Sequence, residues 1–179
     1  MNNLPQSFAE LAREYENQLP PVDAWSPELN GDLDMRIDRE GRWYYQGELV
    51  RREALVKLFS SIIKYEGGQY FLVTPVEKWR IKVDVAPFLV VSAKEIDGVL
   101  LFTTNVGNKF PLSAEHPLEV TEDSQGHPLP IVKAQRQLEA LVSRPVFYQL
   151  AELSEIREMP EGDVMVVRSG VDEFILGNC

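Results

Sequence analysis

Apolar and polar residues change their spacing several times along this chain, and each spacing predicts a different element. Residues 7–15 (SFAELAREY) place apolar side chains on one side of a helix, with Ser7 as its N-cap. Residues 19–27 contain three prolines, which exclude a helix and predict an extended segment. Alternation over residues 35–46, interrupted by the turn Arg39-Glu40-Gly41, then predicts a β-hairpin.

Two further helices are predicted from apolar residues that recur every three or four positions. The stronger pattern runs from Arg52 to Ile63, and Glu66-Gly67-Gly68 is predicted to end this helix. The other helix is predicted to begin at Ser143-Arg144-Pro145, since proline is favoured in the first turn, and to reach Glu155.

Short strands account for most of the remaining sequence. They are predicted at residues 69–74, 79–85, 88–96, 99–104, 109–112, 118–122, 138–142, 163–168 and 173–176. Strands at such regular spacing favour curled antiparallel sheets over alternating parallel units.

The order of elements repeats along the chain. A shift of 92 positions superposes Leu49-Val50-Arg51-Arg52 on Leu141-Val142-Ser143-Arg144, and Leu58 on Leu150. This match predicts two similar halves, each made of strands, a helix and a strand pair. A duplicated protein has an interface between its halves, and small-molecule sites form preferentially at such interfaces.

The predicted fold class is therefore α+β. Residues 1–86 would form the N-terminal helix and the first half, and residues 87–179 would form the second half. Each half would be a small curled antiparallel sheet or partial barrel with one packed helix.

Composition and charge narrow the class of protein. The chain of 179 residues is 44% hydrophobic and 26% charged, which is typical of a soluble fold with a real core. Its net charge of -10 argues against binding of nucleic-acid polymers or anionic membranes. Residues 36–109 nevertheless carry twelve bases against nine acids, and this basic island is compatible with a small anion.

Localisation is predicted from what the sequence lacks. No apolar run approaches the roughly 20 residues that span a bilayer, and the first residues do not form a secretory signal. Cys179 is the single cysteine, so neither an internal disulfide nor a thiolate zinc site is expected. We expect a cytoplasmic protein that needs no cofactor.

Residues that could support catalysis are few. His116 and His127 lie in His-Pro dipeptides, with neither a nucleophile elbow nor the spacing of a zinc motif, and both are expected to be loop residues in solvent. Asp32, Asp34 and Asp38 lack the glycine and the distal glutamate of a calcium loop. We expect a protein without enzymatic activity, and a hydrolase acting on a phosphorylated or acylated small molecule is the weaker alternative.

One strand presents cations beside apolar residues. In residues 74–88 (TPVEKWRIKVDVAPF), Lys78, Arg80 and Lys82 alternate with apolar side chains that point to the other face. Two interpretations stay open at this point. The cations either form a solvated face that protects a sheet edge, or they offer donors to an anionic ligand.

Several segments of the chain carry a resemblance to a known family. The segments are Ile37–Trp43, Arg52 with Leu55–Phe59, Thr74–Lys78, Ala86–Phe88 and Thr104-Asn105. From about Trp25 to Gly177, the chain resembles a proteobacterial family of proteins of unknown function. The resemblance implies a duplicated α+β core, a pleckstrin-homology-like C-terminal half, a nucleotide-like ligand at the interface between halves, and a part in signalling.

The resemblance also implies which residues form the site. The family signature falls on Arg52, Thr74, Glu77, Lys78, Asp84, Pro87, Phe88, Asn105 and Arg144. Together with the cationic strand, it predicts a ligand site made of Arg52, Thr74, Glu77, Lys78, Arg80, Asp84 and Asn105. Val85 departs from the family pattern, which has an acidic pair before Ala-Pro-Phe, so metal chelation by two carboxylates is not expected here.

Six of the seven predicted site residues, all except Arg52, have predicted roles. Lys78 and Arg80 would attract the anionic part of the ligand. Thr74 and Asn105 would hydrogen-bond to it, while Glu77 and Asp84 would orient the cations. The alternative function is a protein-interaction module, in which the strand edges or the first helix bind a partner chain.

Overall fold

A computed structural model of the protein describes residues 4–179, which form two compact units. The first unit runs through Asp38 and continues over Arg42–Asp84. The second unit contains the turn Arg39–Gly41 together with Val85–Cys179. Three α-helices and three β-sheets lie in the described part of the chain, which confirms the predicted α+β class.

The first unit consists of two helices, one 3₁₀ turn and a six-stranded sheet. Its elements are α1 Gln6–Glu14, the 3₁₀ turn Val22–Ala24, β1 Leu29–Ile37, β2 Trp43–Tyr45, β3 Glu48–Leu49, α2 Glu53–Ser61, β4 Ile63–Glu66, β5 Gln69–Val73 and β6 Lys78–Val83. The strand order is β3-β2-β1-β6-β5-β4. Neighbouring strands are antiparallel except β1 and β6, which are parallel.

The second unit contains one helix, a six-stranded sheet and a three-stranded sheet. Its elements are β7 Phe88–Ile96, β8 Val99–Thr104, β9 Lys109–Pro111, β10 Leu118–Glu122, β11 Pro128–Lys133, a 3₁₀ turn Gln135–Gln137, β12 Glu139–Val142, α3 Arg144–Leu153, β13 Glu155–Arg157, β14 Val164–Ser169 and β15 Asp172–Asn178. The sheet orders are β10-β11-β12-β7-β8-β9 and β13-β14-β15. Helix α3 contacts strand β7 of the larger sheet and strand β14 of the smaller one.

The two six-stranded sheets have the same topology, which confirms the prediction of two similar halves. Each consists of two antiparallel three-stranded meanders, and the first strand of one pairs with the last strand of the other. These central pairs, β1 with β6 and β7 with β12, are parallel. The regular spacing of short strands predicted antiparallel sheets, because only strands joined by short turns leave a local signal.

The core of each unit lies where apolar positions of helix and sheet coincide. In the first unit the Phe59 ring of α2 packs against Trp43 of β2 at 5.8 Å between centroids, and Trp43 is 1% exposed. In the second unit Val146 and Leu150 of α3 are buried together with Phe88 and Val90 of β7. Burial of these apolar side chains is the main term that stabilises each unit.

Helix α2 is shorter than its sequence pattern predicts. It ends at Ser61, and β4 follows immediately. Gly67 and Gly68, both with positive φ, form the turn between β4 and β5 and do not end the helix. Ile62 and Ile63 are both buried, so they match the apolar face of a helix and the start of a buried strand equally well.

Helix α1 begins at Gln6, and its N-cap position is Pro5, two residues before the predicted N-cap Ser7. The Ser7 hydroxyl instead donates a hydrogen bond to the carboxylate of Glu77. Phe8 and Leu11 are buried, and the Phe8 ring meets Phe59 edge-on at 5.9 Å between centroids. Helix α1 therefore packs against the first unit as part of its core.

Helix α3 starts as predicted, at Arg144 with Pro145 in the first turn, but ends at Leu153. Like α2, it is followed by a three-stranded antiparallel meander, here β13-β14-β15. Strand β11 was not predicted, since Pro128 and Pro130 reduce the strand signal of its segment.

Candidate functional site

The Thr-Pro-Val-Glu-Lys segment forms the turn between β5 and β6. The Thr74 side chain is completely buried, and its hydroxyl oxygen accepts hydrogen bonds from the backbone N–H groups of Glu77 at 2.9 Å and Val76 at 3.3 Å. The Thr74 N–H donates to the Glu77 carbonyl at 2.9 Å. Thr74 thus binds the backbone of its own turn, while Glu77 accepts from Ser7 of α1.

The two cations expected to attract a ligand both have acidic partners. The Lys78 ammonium lies 2.5 Å from a Glu66 carboxylate oxygen and 4.3 Å above the ring of Phe71. Hydrogen bonds from Lys78 and Lys64 hold the pKa of Glu66 below its usual value. Arg80 lies 3.4 Å from Asp32 on the neighbouring strand β1. The side chain of Lys78 is only 19% exposed, so this strand face is not simply solvated.

Asp84 follows strand β6, and Arg52 precedes helix α2. Asp84 accepts hydrogen bonds from the Arg36 guanidinium, with Nε–Oδ1 and Nε–Oδ2 distances of 2.9 and 3.0 Å. This hydrogen bonding lowers the pKa of the Asp84 carboxyl. Arg52 precedes α2 with an exposed side chain that makes no ion pair within residues 4–179. The hydrogen-bond partner of Asp84 is therefore Arg36, and not Lys78 or Arg80, the cations that Asp84 was predicted to orient.

Asn105 lies in the second unit, in the turn after β8. Its side-chain oxygen accepts the Leu89 N–H at 3.1 Å, and its amide nitrogen donates to the Gly41 carbonyl at 3.0 Å. Both ends of the amide are thus bound to backbone. Like Thr74, this residue holds the chain in place around it.

The acidic residues of β1 and the turn that follows it are not arranged as a metal site. Asp38 is buried and accepts hydrogen bonds from the Arg42 N–H at 2.9 Å and Nε at 2.8 Å. Asp32 faces Arg80. Across residues 4–179, no group of three or more histidine, cysteine, aspartate or glutamate side chains is placed to hold a metal ion.

The two histidines lie in different surroundings. His116 is half-buried, with Nδ1 2.9 Å from the Lys133 carbonyl and its ring beside Phe110. Both histidines were expected in solvent, and this is correct only for His127. The His127 ring lies 3.5 Å from Asp123 and lines a groove of the second unit.

This groove has a volume of about 1020 Å³ and is bounded by four segments of the second unit. They are the turn Arg39–Glu40, residue Leu89 of β7, the β10–β11 turn with the start of β11, and the end of β12 with the first turn of α3. Its apolar lining includes Leu89, Pro128, Pro130, Leu141 and Phe147. The Tyr148 ring, 60% exposed, completes one wall.

The charged groups of the groove differ in whether they already have partners. Asp123 accepts the N–H groups of Gln125 and His127 at 2.8 and 3.0 Å, which lowers the pKa of its carboxyl. Glu40 also takes part in an interaction. Arg39 and Arg144 are exposed and make no ion pair or side-chain hydrogen bond with any described residue. Two cations of the groove are therefore available to an anion.

None of the groove residues except Arg144 belongs to the predicted signature. Arg39 lies in Ile37–Trp43, one of the segments that carry the family resemblance. This resemblance was the signal in the sequence that could have indicated Arg39. The sequence placed the turn Arg39-Glu40-Gly41 and the start of α3 correctly. Strand β11 and the parallel pairing of β7 with β12 were not predicted from the sequence. Together they bring these segments to one groove.

The described helices are all too short or too polar to cross a bilayer. Taken together, the fold and the groove define a class: α+β proteins of two units that share one sheet topology. Family models match both parts of the chain. One is described as the N-terminal domain of a domain of unknown function (DUF1285) and covers residues 20–86; the other is described as the C-terminal domain of a protein of unknown function (DUF1285) and covers residues 87–176. The chain belongs to the DUF1285 family, which confirms the resemblance found in its sequence.

Solved structures of the family are similar over most of this chain. A DUF1285 family protein from Silicibacter pomeroyi is 41% identical, with a TM-score of 0.85, and the match covers 96% of this chain and 94% of that one. A DUF1285 family protein from Shewanella baltica is 26% identical, with a TM-score of 0.55, over 67% of this chain and 91% of that one. No curated protein matches the chain.

Proposed function

We propose that this protein binds a small organic anion of nucleotide-like chemistry in the groove of the second unit, and that it serves signalling in the cytoplasm by binding and not by catalysis. The observation that carries the proposal is the groove itself. It contains two arginines that have no partner among residues 4–179, beside an apolar and aromatic lining.

The size and lining of the groove favour an organic ligand over a bare inorganic ion. Ligand pockets usually measure about 300 to 1000 Å³ and combine an apolar lining with a few polar groups. The groove is at the upper end of that range. Leu89, Leu141 and Phe147 would contact the body of the ligand, and Tyr148 offers a ring on which a planar base could stack.

The charges of the groove favour an anionic head group. A guanidinium presents a fork of donors that matches phosphate and carboxylate oxygens. Arg39 and Arg144 carry this group, and within the described part of the chain neither guanidinium has a partner. The Asp123 carboxylate is compensated by two backbone N–H groups, so it opposes an anion less than a free carboxylate would.

Thermal denaturation with a panel of probes tests the proposal. Adenosine and guanosine monophosphates and inorganic phosphate are titrated into the purified chain. A probe at one hundred times its Kd should stabilise the protein by about 2.7 kcal/mol, which raises Tm by roughly 5 to 10 °C in a chain of this length. Inorganic phosphate should give a smaller shift, because it leaves the apolar lining uncovered.

Single arginine variants locate the binding. Arg39→Ala and Arg144→Ala should each weaken the best probe by about tenfold or more, the cost of one hydrogen bond to a charged group. Lys94→Ala is the matched control, because Lys94 is exposed on the same unit and does not line the groove. If Lys78→Ala or Arg80→Ala removes the shift while the groove variants keep it, the site is the one predicted from sequence. If no probe shifts Tm, the proposal is wrong.

A protein-interaction function is the second candidate, and one edge strand favours it. Strand β13 pairs on one side with β14 and forms an edge of its sheet. Ile156 on this strand is 70% exposed, and Leu153 and Met159 beside it are 45% and 46% exposed. Exposed apolar side chains on an edge strand are typical of a surface that accepts an extended peptide as an added strand.

Variants of this strand separate the two functions. Ile156→Lys should abolish co-purification of a stoichiometric partner and leave every probe titration unchanged. Arg144→Ala should do the opposite. A partner that binds Ile156→Lys as well as the unsubstituted chain would contradict the edge-strand function.

A further inference from the structure

We infer that Asn105 is a positioning residue for the groove: it fixes the turn that carries Arg39, and so decides where the guanidinium of Arg39 meets the ligand. This inference rests on the proposed function, because the task that it assigns to Asn105 is to position a residue of the proposed site. Asn105 itself lines no part of the groove. The turn Arg39–Gly41, Leu89 and Asn105 all belong to the second unit.

The Asn105 side chain links two segments that bound the groove. Its amide nitrogen donates to the carbonyl of Gly41, two residues after Arg39, at 3.0 Å. Its oxygen accepts the N–H of Leu89, a lining residue on β7, at 3.1 Å. The Asn105 N–H in turn donates to the Leu89 carbonyl at 2.8 Å. One amide thus holds the turn and the strand at a set separation.

Gly41 allows this close approach. Its φ is +74°, in the region that favours glycine, and it is buried. A Cβ added at this position would lie 2.7 Å from the Asn105 amide nitrogen and 3.2 Å from the Leu89 Cβ. The turn is therefore packed directly onto Asn105 and Leu89, with no room for a side chain between them.

Asn105 is itself held by a well-bonded loop. The Thr104 hydroxyl oxygen accepts the Asn108 N–H at 3.1 Å, and Thr104 is buried. The Thr104 N–H donates to the Asn108 carbonyl at 2.8 Å, and the Gly107 N–H donates to the Thr104 carbonyl at 2.9 Å. These bonds fix the loop backbone, so the position of the Asn105 amide is defined before any ligand binds.

A fixed turn matters for affinity because ordering a mobile arginine on binding costs conformational entropy. Immobilising a long side chain costs conformational entropy, and a mobile backbone adds to that cost. The Arg39 side chain is exposed, and none of the described residues binds it and restrains it. The clamp on Gly41 removes the backbone part of the cost.

Asn105→Asp tests the clamp with a minimal change. The aspartate keeps an acceptor for the Leu89 N–H but places a carboxylate oxygen against the Gly41 carbonyl, where the donor had been. We expect faster amide exchange across Asp38–Arg42 and an affinity for adenosine monophosphate lower by about tenfold, the loss of one charge-assisted hydrogen bond. Asn105→Ala, which adds no charge, should show the same two effects.

Asn108→Asp is the matched control. It makes the same change in the same loop, and the Asn108 contacts found among the described residues use its backbone only. It should leave both the amide exchange and the affinity unchanged.

A double-mutant cycle with Arg39→Ala separates positioning from other causes. If Asn105 acts through Arg39, Asn105→Asp should have no further effect on affinity in the Arg39→Ala background. An equal loss in both backgrounds would overturn the positioning role and leave the proposed function intact, as would unchanged exchange across Asp38–Arg42. If the unsubstituted chain binds none of the probes, the proposed function is wrong and the inference is wrong with it.

Discussion

Two polar side chains, the buried Thr74 and the exposed Asn105, hold turns of this protein by binding backbone groups. Thr74 accepts the N–H groups of Val76 and Glu77, and Asn105 binds Leu89 and Gly41 at once. A buried backbone N–H without a partner is costly, so each of these side chains satisfies groups that the turn leaves unpaired. At the scale of the residue, both side chains therefore stabilise turns.

Thr74→Val should therefore destabilise the first unit without changing ligand affinity. Valine has nearly the shape of threonine, but it leaves the Glu77 N–H without its acceptor in a buried turn. We expect a loss of about 1 to 2 kcal/mol in the free energy of unfolding, measured by urea denaturation. Thr103→Val is the control, since Thr103 is half-exposed and makes no side-chain hydrogen bond within residues 4–179. Equal stability of the two variants would contradict this role of Thr74.

At the scale of the element, an ion-pair network crosses the outer face of the three-stranded sheet. Arg157 of β13 binds Glu173 of β15 through two hydrogen bonds of 2.7 and 2.8 Å. Arg168 of β14 adds a contact to Glu173 at 2.9 Å and one to Glu155 at 3.7 Å. Hydrogen bonds from Arg157 lower the pKa of Glu173 from 4.5 to about 2. All three strands of the sheet take part in this network.

The lowered pKa of Glu173 predicts a dependence of stability on pH. The carboxylate is favoured in the folded state, so its contribution is complete above the ordinary value of 4.5. It is lost as pH falls from 4.5 towards about 2. Glu173→Gln should flatten the decrease of Tm in this window, and Glu161→Gln, at an exposed position without a described partner, should not. The contribution is small because the pairs are exposed. Parallel Tm curves for the two variants would contradict the prediction.

At the scale of the whole molecule, both units are acidic. The first carries ten bases against thirteen acids, and the second carries eight bases against fifteen acids. In the first unit, the cations Lys78, Arg80 and Arg36 form ion pairs with carboxylates. A small anion can find a local pair of arginines in such a protein, but a polyanion meets a surface of the same sign.

The acidic surface predicts no association with nucleic-acid polymers. Nonspecific DNA binding depends on the release of counterions by a positive surface, and typically has a Kd of about 10⁻⁴ to 10⁻⁶ M. Fluorescence anisotropy of a labelled 20-base-pair duplex should therefore stay constant up to roughly 100 μM protein at physiological salt. A salt-dependent rise in anisotropy would show that a basic patch dominates over the net charge.

Local elements were predictable where one periodicity applied without competition. The start of α3 at Arg144 and the hairpin around Arg39-Glu40-Gly41 follow from proline and glycine placement. The end of α2 was missed because the buried pair Ile62 and Ile63 fits both a helix and a strand. Strand β11 was missed because Pro128 and Pro130 disfavour strands in isolation, whereas its pairing with β10 and β12 stabilises it in the fold.

The candidate site was less predictable than the fold. Residue type indicated that Thr74, Lys78 and Asn105 bear chemistry, but not what they contact. Glu66 meets Lys78 only because β4 and β6 flank β5 in the sheet, and Gly41 meets Asn105 only because the turn packs on β7. Contacts between residues so far apart in sequence leave no periodic signal.

The sequence by itself determined the α+β class, the acidic character, the two similar halves and most helix and strand positions, because periodicity, turn residues and charge act over a few neighbouring residues. Only the tertiary structure decided which cations keep a free guanidinium. Parallel pairing of β7 with β12 and packing of Gly41 on Asn105 bring Arg39 and Arg144 to one groove. That outcome depends on burial of apolar faces across the whole second unit, which no short segment encodes.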